Sequence, residues 1–329
     1  MARYAAITGT GSYAPEKILT NFDLEKIVDT SDEWIRQRTG IVERHIVEDD
    51  MATSDLAIRA ARQAMKKAGI DPLDIEMILV ATVTPDAFFP STACYVQKGI
   101  GAKHACAFDL SAACAGFIYG LDLADGMIKS GRYDTILVIG GEVFSKILDW
   151  TDRSTCVLFG DAAGAAIVQG TDEEKGILAS YIGSDGDYAD SDLLGMPAGG
   201  SRLPASHETV NQRLHTIKMR GREVFKLGVR IMPEAAQRAL DMAGLTIDEI
   251  DLFIPHQANM RIIEAVGDRL GIPPEKVYIN VDRYGNTSAA TTIVALDEAI
   301  RERRVKPGDV VLLVTFGAGL TWGSTVIKL

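Results

Sequence analysis

Ala60-Ala61-Arg62-Gln63-Ala64-Met65-Lys66-Lys67-Ala68-Gly69 returns later in the chain as Ala235-Ala236-Gln237-Arg238-Ala239-Leu240-Asp241-Met242-Ala243-Gly244, with alanines and glycine at matching places. A spaced match of this kind marks an internal duplication. Both copies carry apolar residues at helical spacing and stop at a glycine, the residue that a left-handed helix C-cap favours. An acidic turn then leads to Ile75 or Ile250 and into a β-rich run, 77–83 in one copy and 251–254 in the other. Working outward, each copy repeats strand, small-residue turn, helix, strand, glycine-rich turn, strand. The first copy predicts strands over 105–110, 135–139 and 165–168, with a helix after Ser111; the second predicts them over 277–281, 310–315 and 324–327, with a helix after Gly285. Val/Ile/Leu-rich strands separated by helices indicate sheets covered on both faces, so the fold class is α/β and two similar halves pack together. Residues 21–50 and 184–205 lie outside the repeat. On a rigid scaffold, such added segments are where specificity resides.

With 329 residues and 47% hydrophobic composition, the chain can fill a large core. Its 34 Lys+Arg against 45 Asp+Glu leave a formal charge of -11, which argues against nucleic acid as a partner. Any anionic substrate must therefore meet a local basic patch. No apolar run approaches the roughly 18 residues of a bilayer span, and residues 1–15 lack the order of a signal peptide, so a soluble, cytoplasmic protein is expected, with no membrane partner. Four cysteines without a C-x-x-C pair, and five histidines without ligand spacing, support neither a disulfide framework nor a metal site. Gly9-Thr10-Gly11 fails the dinucleotide fingerprint, because no third glycine opens a helix and Pro15 intervenes.

Ligands of α/β sheets bind beyond the carboxyl ends of strands, which directs attention to three residues. Cys114, in Ser111-Ala-Ala-Cys-Ala-Gly116, lies where a strand turns into a helix, and a helix N-terminus lowers a thiol pKa. Free cysteine is more often buried and inert; Cys94, Cys106 and Cys156 are read that way. For Cys114 the turn favours a nucleophile. His256 follows Pro255 directly, in a small polar turn with Gln257, Ala258 and Asn259, and Asn286 lies in Tyr284-Gly-Asn-Thr-Ser288. A lone histidine or a turn asparagine is ordinarily structural. The duplication sets Asn286 opposite Cys114, so related strand-helix turns bring both side chains toward a shared axis. A thiol, an imidazole and an amide together support acyl transfer, the thiol as nucleophile and the others as donors to an oxyanion. The small-residue turn after Phe316 frees the Ala318 N–H, and with the Cys114 N–H it forms a candidate oxyanion hole.

These residues resemble the thiolase superfamily, and within it the β-ketoacyl-acyl carrier protein synthase III family. The likeness rests on Thr30-Ser-Asp-Glu-Trp-Ile35, Arg38-Thr-Gly-Ile41, Asp152-Arg-Ser154, Phe159-Gly-Asp-Ala-Ala-Gly164, His256-Gln-Ala-Asn259, Tyr284-Gly-Asn-Thr-Ser288 and Thr321-Trp-Gly-Ser324. It implies a duplicated thiolase-like fold, layered α-β-α-β-α with two mixed sheets. The N-terminal half would span 1–172, with insertions at 21–50 and 84–100, and the C-terminal half 173–329, with a loop insertion at 184–216. The implied activity is a decarboxylating condensation of an acyl-CoA primer, acetyl-CoA foremost, with malonyl-acyl carrier protein, initiating fatty-acid synthesis without a resident cofactor.

By the same resemblance, Cys114 carries the acyl group, His256 and Asn286 bind the malonyl thioester oxygen, and Phe316 gives the malonyl carboxylate an apolar surround. Thr30, Trp34, Arg38, Arg153 and Asn259 would hold CoA, Lys226 and Arg261 would dock the carrier protein, and Phe89 would close the acyl pocket of a partner in a homodimer. Trp34, Lys226 and Arg261 on spacing alone are ordinary surface residues. Two departures stand out: Ser154 replaces a glycine common at the nucleotide end, and Ala318 interrupts a run of glycines. A thiolase proper would need a further cysteine, and none follows Cys156; elongating synthases place two histidines where this chain offers His256 and Asn286. A condensing enzyme of a secondary pathway, an acyl-thioester hydrolase and a non-catalytic partner subunit remain as alternatives.

Overall fold

The computed structural model describes residues 3–329. In the first half, strands Tyr4–Tyr13 (β1), Met77–Ala81 (β2), Cys106–Leu110 (β3), Thr135–Val143 (β4) and Asp161–Thr171 (β5) form one sheet in the order β1-β5-β4-β2-β3. In the second half, Gly176–Ser184 (β6), Leu252–Pro255 (β7), Val310–Gly317 (β8) and Thr321–Lys328 (β9) form another, in the order β7-β8-β9-β6. Read from opposite ends, the two orders correspond strand for strand, except that the second sheet has no counterpart of the edge strand β3. Both sheets are mixed: β2 runs parallel to β3 and β4, and β7 parallel to β8, whereas the remaining pairs are antiparallel.

Three helical layers enclose the sheets. Thr53–Ala68 (α1) covers the outer face of the first sheet, and Gly221–Ala243 (α3) with Met260–Leu270 (α4) covers that of the second. Between the sheets lie Gly116–Lys129 (α2) and Thr291–Arg301 (α5). One continuous apolar cluster joins Phe117, Ile118 and Leu121 of α2 and Ile293 and Leu296 of α5 to Leu79 and Val138 of the first sheet and Ile254 and Leu313 of the second. Period-2 alternation sends Ile78 and Val80 to the opposite face, against Leu56, Ala60 and Ala64 of α1. Every residue of α5 from Thr291 to Ala299 is buried, as expected of a helix with sheet on both sides. The duplicated helices end as anticipated, at Gly69 with φ 70° and Gly244 with φ 68°. Gly9 and Gly11 serve packing: a Cβ on them would lie 2.3 Å from Ala64 O and Ala60 O, so their absence of side chain lets α1 settle on β1.

Two expectations fail here. Residues 277–281 form no strand. Phe253 and Val277 make a single bridge, and the Gln257 side-chain oxygen then accepts from Asn280 N (2.9 Å) and Val281 N (3.2 Å), replacing the ladder and starting a short helix, Val281–Tyr284. Cys94 and Cys106 are exposed, not buried; Cys106 opens β3, an edge strand with nothing paired to its outer side. Cys156 is buried as expected. No described helix is long and apolar enough to cross a membrane.

Candidate active site

Strand β3 ends at Leu110, and the chain turns through Ala113–Ala115, a single 3-10 turn, into α2. The second half repeats the device at Ser288–Ala290 before α5. Ala113 has φ 45° and Ser288 φ 50°, strained values for residues with a Cβ, and the two are separated by the same interval as Ala60 and Ala235. The duplication therefore aligns Ala113 with Ser288 and Cys114 with Ala289. Asn286 does not stand opposite Cys114 as expected: it precedes that position by three residues and aligns with Ser111, yet it still lines the same cavity.

A cavity of about 730 Å3 is lined by Cys114, His256, Asn286, Ser288, Phe316 and Ala318 together. Cys114, His256, Asn286 and Ser288 are each more than nine-tenths buried. Asn286 and His256 are held from behind. The Asn286 Oδ1 accepts from Ser288 N at 2.8 Å, which turns the amide NH2 the other way. The His256 backbone N donates to Val314 O at 2.8 Å, anchoring the residue to β8. Its Nδ1 lies 2.7 Å from the Thr291 hydroxyl, which itself lies 2.9 Å from Ser288 O. The hydroxyl has one proton to give. If it goes to Ser288 O, the imidazole carries its proton on Nδ1; if it goes to Nδ1, Nε2 carries the proton and can donate toward the cavity. The Phe316 ring meets the imidazole edge-on, with centroids 6.2 Å apart, and Gly228 makes room for it: a Cβ there would lie 2.5 Å from the ring.

Burial dominates the electrostatics. It pushes the Cys114 thiol up to about 12, the nearby Ser288 hydroxyl offsetting part of the rise and Glu142 adding to it. The expected thiolate is thus replaced by a neutral resting thiol, because loss of water outweighs the end of one helix. Burial also lowers His256 to about 3, so the imidazole is neutral at any working pH. The Ala318 N–H has no acceptor among the described residues and is free to donate. Gly317, just before it, packs so closely on the nucleophile turn that a Cβ would lie 2.6 Å from Cys114 N.

Apolar wall residues Val83, Phe144, Phe159, Leu194 and Ile217 line the same cavity, with Phe144 and Phe159 stacked at 4.7 Å. Leu194 and Met196 show that the 184–216 insertion contributes to this wall. At the rim lie Arg38, Arg222, Lys226 and Arg261, a basic patch on an acidic protein. Arg38 is brought there by Asp32–Thr39, a helix capped by the Ser31 hydroxyl, and the Asn259 side chain donates to Arg38 O at 3.1 Å. Arg38 and Arg153 flank Trp34, their guanidinium carbons 5.8 and 5.1 Å from the indole centroid. Thr30, Trp34 and Arg153 do not line the cavity itself, although Trp34 lies beside its entrance residue Arg38 and Arg153 beside Trp34; among the described residues the buried Thr30 hydroxyl has no partner. Phe89 does not enter this cavity: with Phe88 it projects from the molecule, 86% and 82% exposed. Sequence reasoning missed Arg222, Ser288, Thr291 and Glu142. A lone acid in the apolar run Ile139-Gly-Gly-Glu-Val143 was the available signal for the last.

Residues 108–186 match the family model described as 3-oxoacyl-[acyl-carrier-protein (ACP)] synthase III, and residues 240–329 match the model of its C-terminal part. A beta-ketoacyl-[acyl-carrier-protein] synthase III of Caldanaerobacter subterraneus subsp. tengcongensis is 59% identical over 324 residues, 98% of this chain and 97% of that protein. The crystal structure of 3-oxoacyl-[acyl-carrier-protein] synthase III from Aquifex aeolicus VF5 superimposes with a TM-score of 0.91 at 48% identity, covering 99% of this chain and 100% of that one. The priming β-ketosynthase of the R1128 polyketide pathway gives the same TM-score at 36% identity, over 100% and 97% of the two chains. Sequence identity of this extent over nearly the whole length, on a shared fold, makes this chain a member of the 3-oxoacyl-[acyl-carrier-protein] synthase III family.

Proposed function

We propose that the protein is an acyltransferase that condenses an acyl-CoA primer with malonyl-acyl carrier protein, releasing CoA and CO2 and giving 3-oxoacyl-acyl carrier protein, the first condensation of fatty-acid synthesis. The observation that carries this reading is the convergence of Cys114, His256, Asn286 and the free Ala318 N–H on one largely apolar cavity. Cys114 attacks the primer thioester. The oxyanion that forms meets the N–H groups of Ala318 and Cys114, which are fixed before charge appears. The acyl chain then lies along the wall of Val83, Phe144, Phe159 and Ile217, with acetyl-CoA as the first primer to consider. When the malonyl thioester replaces CoA, the Asn286 NH2 and His256 Nε2–H bond its oxygen as loss of CO2 leaves enolate charge there. Phe316 keeps water from the carboxylate, which favours departure of neutral CO2. The resulting carbanion attacks the acyl-Cys114 carbonyl, the carbon–sulfur bond breaks, and Cys114 leaves as a thiolate that takes one proton from solvent to restore the neutral thiol. This chemistry asks for no resident cofactor, and the reaction is one of the cytoplasm.

Trp34, with Arg38, Arg153, Thr30 and Asn259, is the proposed CoA approach; Lys226 and Arg261 are the proposed contacts of the acidic carrier protein. A homodimer is supported by two features: the edge of β3, unpaired among the described residues, and the two exposed phenylalanines 88 and 89, a costly combination in a lone subunit. The division into halves 1–172 and 173–329 is supported by the break between β5, ending at Thr171, and β6, beginning at Gly176. The decisive experiment offers a panel of acyl-CoAs, records adducts on Cys114 by intact mass, and then adds malonyl-carrier protein. A ketone product with equimolar CO2 is expected. Free carboxylic acid without CO2 would establish hydrolysis instead, and a preference for unusual primers would favour a secondary pathway. An adduct in Cys114→Ala would overturn the nucleophile.

A further inference from the structure

The condensing reading leaves one question open on which this inference rests: where the Cys114 proton goes. The thiol is buried and neutral, so attack on a thioester must be accompanied by loss of its proton. The obvious acceptor, His256, is a poor one, since burial holds its imidazole at about 3. Behind Cys114 lies Glu142, at the end of β4 and fully buried. Among the described residues no lysine or arginine pairs with it; its hydrogen-bond partners are all neutral. Its carboxyl is bonded by Val83 N, Thr84 N, the Thr82 and Thr84 hydroxyls, and the Ser288 hydroxyl at 3.2 Å. Ser288 lines the same cavity as Cys114, and its turn, Ser288–Ala290, packs against the nucleophile turn Ala113–Ala115. A carboxylate held in the core without a cation calls for explanation, because burying such a charge is costly.

We propose that Glu142 receives the Cys114 proton through Ser288. The Cys114 thiol gives its proton to Ser288 Oγ while the Ser288 hydroxyl passes its own to Glu142 Oε1. The sulfur electron pair forms the bond to the primer carbonyl carbon. When the carbonyl re-forms, the bond to the CoA sulfur breaks, and that sulfur takes back the proton from Glu142 by the same route. CoA departs as a thiol, and Glu142 is again ionised; no oxidant or further reactant is needed. From a strained backbone (φ 50°) the Ser288 hydroxyl reaches Glu142 Oε1 at 3.2 Å, and its counterpart Ala113 strains the same way beside the nucleophile. Burial raises Glu142 to about 7, which suits a group that must take and return a proton at neutral pH. The other titratable groups around this line are spoken for: Asp161 of β5 by Ser145 and Val47, Asp86 by Ser54, and His256 by Thr291.

Glu142 acts through another residue and is a positioning and relay group. Its test is the pH profile of the first half-reaction: single-turnover acylation of Cys114 by acetyl-CoA, followed by intact mass between about pH 5.5 and 9. The native enzyme should accelerate through a limb near pH 7. Glu142→Gln and Ser288→Ala should each slow acylation about 100-fold and lose that limb. Glu142→Asp should recover part of the rate with a displaced limb. Condensation started from enzyme already acylated should fall less than tenfold. Ser288→Ala decides the matter if Glu142→Gln does not fold, since Ala113 shows that alanine tolerates this backbone. Acylation at the native rate and pH profile in Ser288→Ala, or a limb that disappears only in His256→Ala, would overturn the relay. Absence of any adduct in the native enzyme would sink the condensing reading itself, a result distinct from both.

Discussion

Gly317→Ala tests the architecture of the oxyanion hole without touching a side chain that does chemistry. An added Cβ would meet Cys114 N at 2.6 Å, Ala113 Cβ at 3.1 Å and Ala115 N at 3.2 Å. Two of these neighbours are backbone and the third is a short methyl, so no flexible side chain can swing away. Ordinary contact begins near 3.4 Å. The nucleophile turn and the end of β8 must therefore part by about 1 Å, which is enough to separate the Cys114 and Ala318 donors from one oxygen. Misplacement on this scale costs about 100-fold, and loss of one oxyanion donor costs about 100- to 1000-fold. We expect kcat/KM for acyl-CoA to fall by about that factor, with overpacking removing about 1 to 3 kcal/mol of stability. The assay is stopped-flow or quenched acylation of Cys114 read by intact mass, beside denaturant unfolding. Gly126→Ala is the control: it lies in α2, where a Cβ meets nothing within 4 Å, and it should gain about 0.5 to 1 kcal/mol with native kinetics. Acylation by Gly317→Ala within threefold of native, in a protein of native stability, would refute the reasoning.

Thr291→Val removes the partner of His256 Nδ1; we expect loss of about 1 to 3 kcal/mol in unfolding and a decarboxylation rate at least tenfold lower, measured as CO2 released from malonyl-carrier protein. His256 is unprotonated in the fold down to about pH 3 but protonates near 6.5 when unfolded, so the unfolded state binds more protons between those values. Stability should accordingly fall as pH drops through that window, by up to about 4 to 5 kcal/mol, and urea midpoints of His256→Gln should show a shallower decline. Replacing Lys226 and Arg261 by glutamate should raise the KM for malonyl-carrier protein at least tenfold at low salt while leaving acylation by acyl-CoA little changed; a salt-independent KM would refute the contact.

Much of the fold was legible because the duplication repeats spacing as well as residue type. The interval from Ala60 to Ala235 also carries Ala113 onto Ser288, which identifies the paired strained turns. The turns beyond the strands that lead to Cys114 and His256 could be read from strand order and small residues, whereas Asn286 lies beyond a short helix where a strand was expected. What sequence did not disclose depends on the third dimension. Gln257 replaces a strand ladder after Val277 with its own side chain, and nothing local announces that. The neutral state of Cys114 follows from burial between halves, which helix position alone does not reveal. Glu142 and Thr291 owe their importance to neighbours more than 30 residues away in the chain.

The middle layer belongs to neither half. Helix α2 comes from one repeat and α5 from the other, yet each is wrapped by sheet from both. A gene cut between Thr171 and Gly176 should thus yield two polypeptides that each display a greasy flank and precipitate when made apart. Made together, the fragments have a route to rescue one another, and recovered turnover would report assembly of the sandwich.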